Sequence, residues 1–318
     1  MVSRADDLID RRNLRRKLTF WRIAAIVVAA IGIAAASAWI YGNELGGTAA
    51  AHIAKVKIEG TITEDEELIE RLDKIGESSA VKGVILSIDS PGGTTAGGEA
   101  IFDAVRKLAA QKPVVAQVGT LAASAGYMIA TASDHIVARK SSIVGSIGVL
   151  VQFPDVTGLM DKLGVKLEEV KSSPLKAEPS PFNPTNDEER AMIRSMILDS
   201  YDWFVGLVEE RRPLSRAEAL ALADGSVFTG RQALEKKLVD GLGGESEAVK
   251  WLSGKGVAAD LKVVEWKAKG GRSSLFFGSS MMEAVARMLG LPDRSGDFMR
   301  EIGADRLFLD GLVSVWHP

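Results

Sequence analysis

The 318 residues, 46% hydrophobic and 25% charged, are enough to bury one large core or two modest ones, which excludes a disordered chain. A formal charge of -3 with a pI near 5.8 leaves no basic footprint, so a nucleic-acid partner is not expected. Cysteine is absent, which removes disulfides, thiolate metal sites and a cysteine nucleophile together and fits an extracytoplasmic location.

Cationic residues cluster at the start. Arg11, Arg12, Arg15, Arg16, Lys17 and Arg22 precede the uncharged run IAAIVVAAIGIAAASAWIYGN, residues 23–43. A helix of that length spans about 30 Å, the thickness of a bilayer core. Positive residues before the span, with Trp39 and Tyr41 at its far end, predict residues 1–22 in the cytoplasm and everything after Gly42 outside. Ala36-Ser37-Ala38 has the form of a signal-peptide cleavage site, but the apolar run exceeds the h-region of such a peptide and favours an uncleaved anchor.

After a linker at 44–52, strands and helices alternate. IAKVKIEGTI at 53–62 reads as strand and DEELIERLDKI at 65–75 as helix. VKGVILSID at 81–89 is a continuous apolar run closing in a turn, the pattern of a strand buried on both faces. Residues 98–110 have helical spacing, with Ile101, Val105 and Leu108 on one stripe. A strand at 114–118, a helix from near Ser124, and strands around 136–138 and 147–151 follow. This βαβ series predicts an α/β fold with a mostly parallel sheet.

Past Val170 the character changes. KSSPLKAEPSPFNP at 171–184 carries four prolines and must be loop. Two helices follow, each opened by a capping box, Thr185 to Glu188 and Ser215 to Glu218. The reading divides the chain into a globular domain at 53–253 and a C-terminal extension at 254–318, in which 274–291 is conspicuously apolar and is expected to meet a partner or a membrane.

Two stretches suggest chemistry. DSPGG at 89–93 closes a buried strand, and its paired glycines allow a backbone N–H to approach a substrate carbonyl. TLAASAGYMIA at 120–130 sets Ser124 among small residues after another strand. Either alone reads as ordinary packing. Together, at the carboxyl ends of strands where open α/β sheets bind ligands, they form a candidate site. Ser124 as nucleophile needs a base, and the chain has only three histidines, His52, His135 and His317. Asp89, Asp134 and His135 could form a relay, but as a set they read as structural. No metal or organic cofactor site is visible.

DSPGG, ASAGYMIA, GSIGVL at 145–150, the proline-rich loop with Lys176, and GSVFTGRQALEKKLVDGLGG at 225–244 follow one another with the order and spacing of the S49 serine peptidase family, which the chain resembles from about residue 53 to 250. The resemblance implies a crotonase- and caseinolytic-protease-like fold of repeated β-β-α units behind one transmembrane helix. It implies a Ser-Lys dyad of Ser124 and Lys176, with Gly93 and Ala125 as backbone donors of the oxyanion hole and Ser146 orienting the lysine amine. It further implies remnant signal peptides as substrates, a bacterial inner membrane location with the catalytic domain on the outer side, and a ring-like homo-oligomer. A crotonase-like acyl-CoA enzyme and a catalytically inactive membrane scaffold are the alternatives.

An ordinary lysine, with a pKa near 10.4, is neutral in about one molecule in 2,500 at pH 7, so a lysine base must be desolvated. The loop flanking Lys176 is apolar enough for that, provided Glu178 points to solvent. The loop departs from the family's glycine-rich form, and Lys171 and Lys166, both expected in a strand, are the fallback bases.

Overall fold

The computed structural model describes residues 50–268 continuously, and residues 21, 23–25, 27–28, 31–32 and 313–315 besides. The chain divides into two compact units, Met1–His52 and Ile53–Pro318. In the first, the described residues from 21 to 32 are helical, and Trp21, Ile23, Val27, Val28 and Ile31 are exposed. Most of the expected span at 23–43 lies outside the described residues, and no helix among those described is long and apolar enough to cross a membrane. The apolar stretch at 274–291 also lies outside them.

The second unit is mixed α/β. Its strands are β1 (His52–Ile62), β2 (Val81–Thr94), β3 (Val114–Ala123), β4 (His135–Ala138), β5 (Ile143–Gly145), β6 (Val227–Thr229), β7 (Gly241–Leu242), β8 (Val263–Glu265) and β9 (Val313–Val315). The helices are α1 (Glu66–Glu77), α2 (Thr95–Ala109), α3 (Ala125–Thr131), α4 (Thr157–Leu163), α5 (Asp187–Arg211), α6 (Arg216–Leu222), α7 (Gly230–Glu235) and α8 (Glu245–Gly254). The main sheet order is β6-β5-β3-β2-β1-β8, with β4 and β9 branching from β3 and β2. β3 pairs in parallel with β2 on one side; on the other it pairs with β4 along Val115–Val118 and then with β5 along Leu121–Ala123.

Period-two alternation along these strands sends side chains to two cores. Ile53, Ile85, Val115 and Val137 face Ala248 and Leu252 of α8. Ala54, Val84, Leu86, Val114, Ala116 and Ile136 face the other way, in one cluster with residues of α1, α2, α3 and α5. Burial on both faces explains the unbroken apolar run of β2.

Several expectations shift. β2 does not end in a turn at Asp89 but runs extended to Thr94, slipping register between Ile88 and Ser90. The strand expected at 147–151 lies at Ile143–Gly145, because Gly145 at φ 112 and Ser146 at φ 50 break the extended path. Residues 165–171, expected as strand around Lys166 and Lys171, have no regular structure. The loop at 171–184 is a loop as expected. The capping box of α5 is Asn186 with Glu189, one residue later than read; that of α6 is Ser215 with Glu218, as read. β8 pairs with β1 and adds to the sheet beyond residue 253.

At the amino ends of β3 and β4 an ion pair between buried Arg212 and partly exposed Asp240 fastens α5 to the sheet. Arg212 donates to both Asp240 oxygens, at 3.0 and 2.7 Å, and through Nε to the Lys237 carbonyl at 2.8 Å. Asp240 also accepts the Ile136 N–H at 2.8 Å. Burial alone would raise the Asp240 carboxyl, but the Arg212 guanidinium outweighs it and holds the carboxyl below the usual range. That stabilisation is present above the unfolded carboxylate pKa and is lost as pH falls through the depressed folded value. Arg212→Ala should cost about 1–2 kcal/mol at neutral pH, since solvent partly screens the stranded Asp240, read as a lower urea midpoint; an unchanged midpoint would show that the pair does not fasten the helix.

Candidate active site

The site forms where β3 and β5 stop together. Their last pair is Ala123 with Gly145, so Ser124 and Ser146 emerge side by side. Ser124 has φ 56 and ψ -122 and Ser146 has φ 50, both in the left-handed region that non-glycine residues avoid. Such strain, of order 1–3 kcal/mol per residue, persists only where the surroundings fix it. Here they do. The Ser124 N–H donates to the Gly145 carbonyl at 2.8 Å, and the Ser146 N–H donates to the Ser226 carbonyl of the GSVF motif at 2.7 Å.

Beyond Ser124 the chain turns at once into α3, and every residue of that helix is buried. The Tyr127 hydroxyl donates to the Leu238 carbonyl at 2.8 Å. Arg211 Nε and Arg106 Nη1 donate to the Thr131 and Ala132 carbonyls at 3.1 and 2.8 Å, satisfying the far end of the helix. Burial pushes the Tyr127 phenol up, so it stays neutral. The helix comprises Ala125–Thr131 and is too short for its dipole to matter much at Ser124; fixed N–H groups are the useful donors.

Gly93 lies across the site on β2. A side chain there is impossible, since its Cβ would sit 1.8 Å from the Ile62 carbonyl oxygen. Gly92 and Ser124 each lie two residues beyond the paired Ser90 and Ala122. The structure thus brings four of the five expected residues, Gly93, Ser124, Ala125 and Ser146, to adjacent strand ends. β9, which the sequence reading missed, pairs antiparallel with this segment: Gly92 with Val315, Gly93 with Ser314, Thr94 with Val313. An isolated three-residue strand in the tail carries no periodic signal.

The histidines lie elsewhere. His135 pairs with Val115, nine residues before Ser124 along β3 and so about 30 Å away at roughly 3.3 Å per residue. It stacks on Trp251 with ring centroids 5.0 Å apart, and burial lowers its pKa against the opposing pull of Asp240. His52 lies near the start of β1, with Nδ1 2.7 Å from the Ala50 carbonyl, and His317 is outside the described residues. Asp89 accepts the Leu121 N–H at 3.1 Å, and Asp134 accepts the Val114 N–H at 3.0 Å. The trio forms no relay.

Lys176 is not brought to this cluster by the contacts of one chain. It is exposed, and its amine makes no hydrogen bond or ion pair among the described residues. Glu178 corrects the sequence reading: it turns inward rather than to solvent, accepting from Lys171, from Asn183 at 3.0 Å and from the Ser180 N–H at 2.8 Å. The bond to Lys171 holds the Glu178 carboxyl below its usual range. Lys171, gripped by Glu169 as well, is held above the ordinary lysine range and is a poor base. The inward carboxylate is thus neutralised by a neighbour, and Lys176 remains the uncommitted amine of the loop.

A family model described as peptidase family S49 matches residues 106–258, and one described as Clp protease matches residues 51–144. A protein named as a protease in Methanocaldococcus jannaschii is 40% identical over 62% of this chain and 64% of its own length. One named as a protease in Synechocystis is 36% identical over 63% of this chain and 72% of its own. One named as signal peptide peptidase SppA in Enterococcus faecium is 32% identical over 77% of this chain and 74% of its own.

The strained backbone yields its own expectation. At an ordinary site glycine is the less stable choice, but at φ 56 only glycine escapes the penalty. Ser124→Gly should exceed Ser124→Ala in stability by roughly 1 kcal/mol in urea unfolding. The reverse order would show that the backbone relaxes once the hydroxyl is gone.

Proposed function

The chain belongs to peptidase family S49, and from that premise we propose that it is a membrane-anchored serine endopeptidase that cleaves apolar peptides, remnant signal peptides among them, with a Ser124–Lys176 dyad. The observation that carries the peptide substrate is the antiparallel pairing of an extended segment with Gly92–Thr94. A peptide laid along that edge in the same way gains main-chain hydrogen bonds whatever its side chains, and its backbone passes the candidate oxyanion donor. An acyl-CoA thioester has no strand to offer such an edge, and an inactive scaffold would have no need of a strained serine.

In this mechanism Ser124 Oγ attacks the scissile carbonyl carbon while its proton passes to the neutral Lys176 amine. The N–H groups of Gly93 and Ala125 hold the resulting oxyanion. Collapse expels the peptide amine, which takes the proton from Lys176 and leaves an acyl-enzyme on Ser124. Water, deprotonated by the same amine, then releases the acid. Ser146, beside Ser124, orients the lysine amine.

As a base Lys176 needs cover from water, and no described residue bonds its amine. The surface around its loop is unusually apolar: Leu159, Leu163, Val165, Leu167, Val170 and Phe182 are all exposed. A second copy seated there would bury these side chains and desolvate the lysine together, which supports the homo-oligomer; the stretch at 274–291 is a further candidate contact. The exposed Trp21, Ile23, Val27, Val28 and Ile31 support the anchor, since a lipid phase would cover them.

Ser124→Ala and Lys176→Ala should each lower kcat for an apolar peptide by at least about 10³-fold while leaving the urea midpoint near wild type, because nucleophile and base act as one unit. Near wild-type turnover by Lys176→Ala at neutral pH would remove the dyad. The chain from residue 48 onward should sediment as an oligomer, and a monomer cleaving at full rate would show that the lysine needs no neighbour.

A further inference from the structure

We infer that Ser90 is a positioning residue of the peptidase site, its buried hydroxyl setting the backbone of the turn that presents Gly93. The inference rests on the reading of Ser124 as nucleophile and Gly93 as oxyanion donor.

The serine is fully buried, and a hydroxyl withdrawn from water is costly unless bonded. Both capacities of this one are used. It donates to the Gly60 carbonyl at 2.6 Å and accepts the Gly92 N–H at 3.1 Å. The two glycines it joins are at positive φ, 73 for Gly60 and 105 for Gly92. The register of β2 against β3 slips between Ile88 and Ser90, so this hydroxyl sits where the ladder is irregular. With the Gly92 N–H turned back onto Ser90, the peptide plane entering Gly92 is fixed, and the next amide on the chain is that of Gly93.

Ser90 also reaches the other half of the hole. A Cβ on Gly126 would lie 2.9 Å from the Ser90 carbonyl oxygen and 3.2 Å from the Ser90 Cβ, so the first turn of α3 rests directly on this residue. Gly126 follows Ala125, the second expected donor. One residue therefore touches the elements that carry both N–H groups, and the tie to Gly60 anchors them to β1. Oxyanion stabilisation depends on donors fixed before the charge develops; freeing this turn loses transition-state binding and leaves peptide docking along the strand intact.

The test uses the full chain in detergent. Ser90→Ala should lower kcat on the order of 10²-fold with KM changed by less than about twofold. A peptide boronate, whose tetrahedral adduct mimics the oxyanion, should bind more weakly by the same factor as kcat/KM falls. If Ser90→Ala does not fold, Ser90→Cys, of similar volume but with a weak S–H donor, is measured the same way. Unchanged kcat, or a loss in which boronate affinity is retained, overturns the proposal; a stability loss alone assigns Ser90 to the framework only and overturns it equally. Failure of the underlying reading looks different: the wild-type chain would then resist fluorophosphonate labelling at Ser124 and be indifferent to the boronate.

Discussion

The Ser124 N–H to Gly145 carbonyl bond, 2.8 Å long, is the constraint on which the site depends. It closes the last step of the β3–β5 ladder and holds Ser124 where the chain must leave the sheet and enter a helix with no intervening residue. A residue held at φ 56 would relax if either side were loose. Behind it, α3 is buried along its whole length and its terminal carbonyls are bonded to arginines from α2 and α5. The surrounding fold thus offsets a local strain of order 1–3 kcal/mol and in exchange fixes one hydroxyl at a strand end.

Glycine determines how closely the neighbouring elements approach. Gly93 lets β2 touch the end of β1, and Gly126 lets α3 rest on Ser90. Gly98 does the same between helices, since a Cβ there would be 3.1 Å from both the Ala125 Cβ and the Met128 sulfur. Among the described residues no acid, base or histidine is among the nearest neighbours of these three glycines. Tyr127, His135, Arg212 and Asp240, whose ionisation is shifted by burial and by one another's charge, belong to the buried wall of α3 and to the far ends of β3 and β4. At these four groups perturbed ionisation accompanies structural ion pairing and burial.

That division explains what the sequence made legible. Long apolar runs such as 81–89 and the stripe of Ile101, Val105 and Leu108 are period signals, and they fall in elements close to those expected. The motif serines and glycines were legible because backbone constraints leave few residue choices. Strand ends were not, since β2 continues through proline and two glycines where local propensity predicts a turn. The inward turn of Glu178 was equally hidden. Its partners Lys171, Asn183 and Ser180 are near in sequence, but only the folded loop aims them at one carboxylate.

The loop bearing Lys176 differs in kind from the rest. Ser124, both oxyanion candidates and Ser146 are set by strands and by a buried helix, so their positions are decided when the core forms. Lys176 sits in a turn whose backbone bonds are local, Lys176 N–H to Ser173 at 3.1 Å and Glu178 N–H to Leu175 at 3.4 Å. Folding the core does little to fix its amine. On the proposed reading, whatever buries Leu159, Leu163, Val165, Leu167 and Val170 must also order this loop, and each surface that it covers favours the neutral amine over the charged one. Assembly and base formation then share one free energy: a ligand that selects the complete site must, by linkage, strengthen the contact that completes it. On that reading a lone chain, whose Lys176 amine has no partner among the described residues, would be a weak peptidase until it met its neighbours.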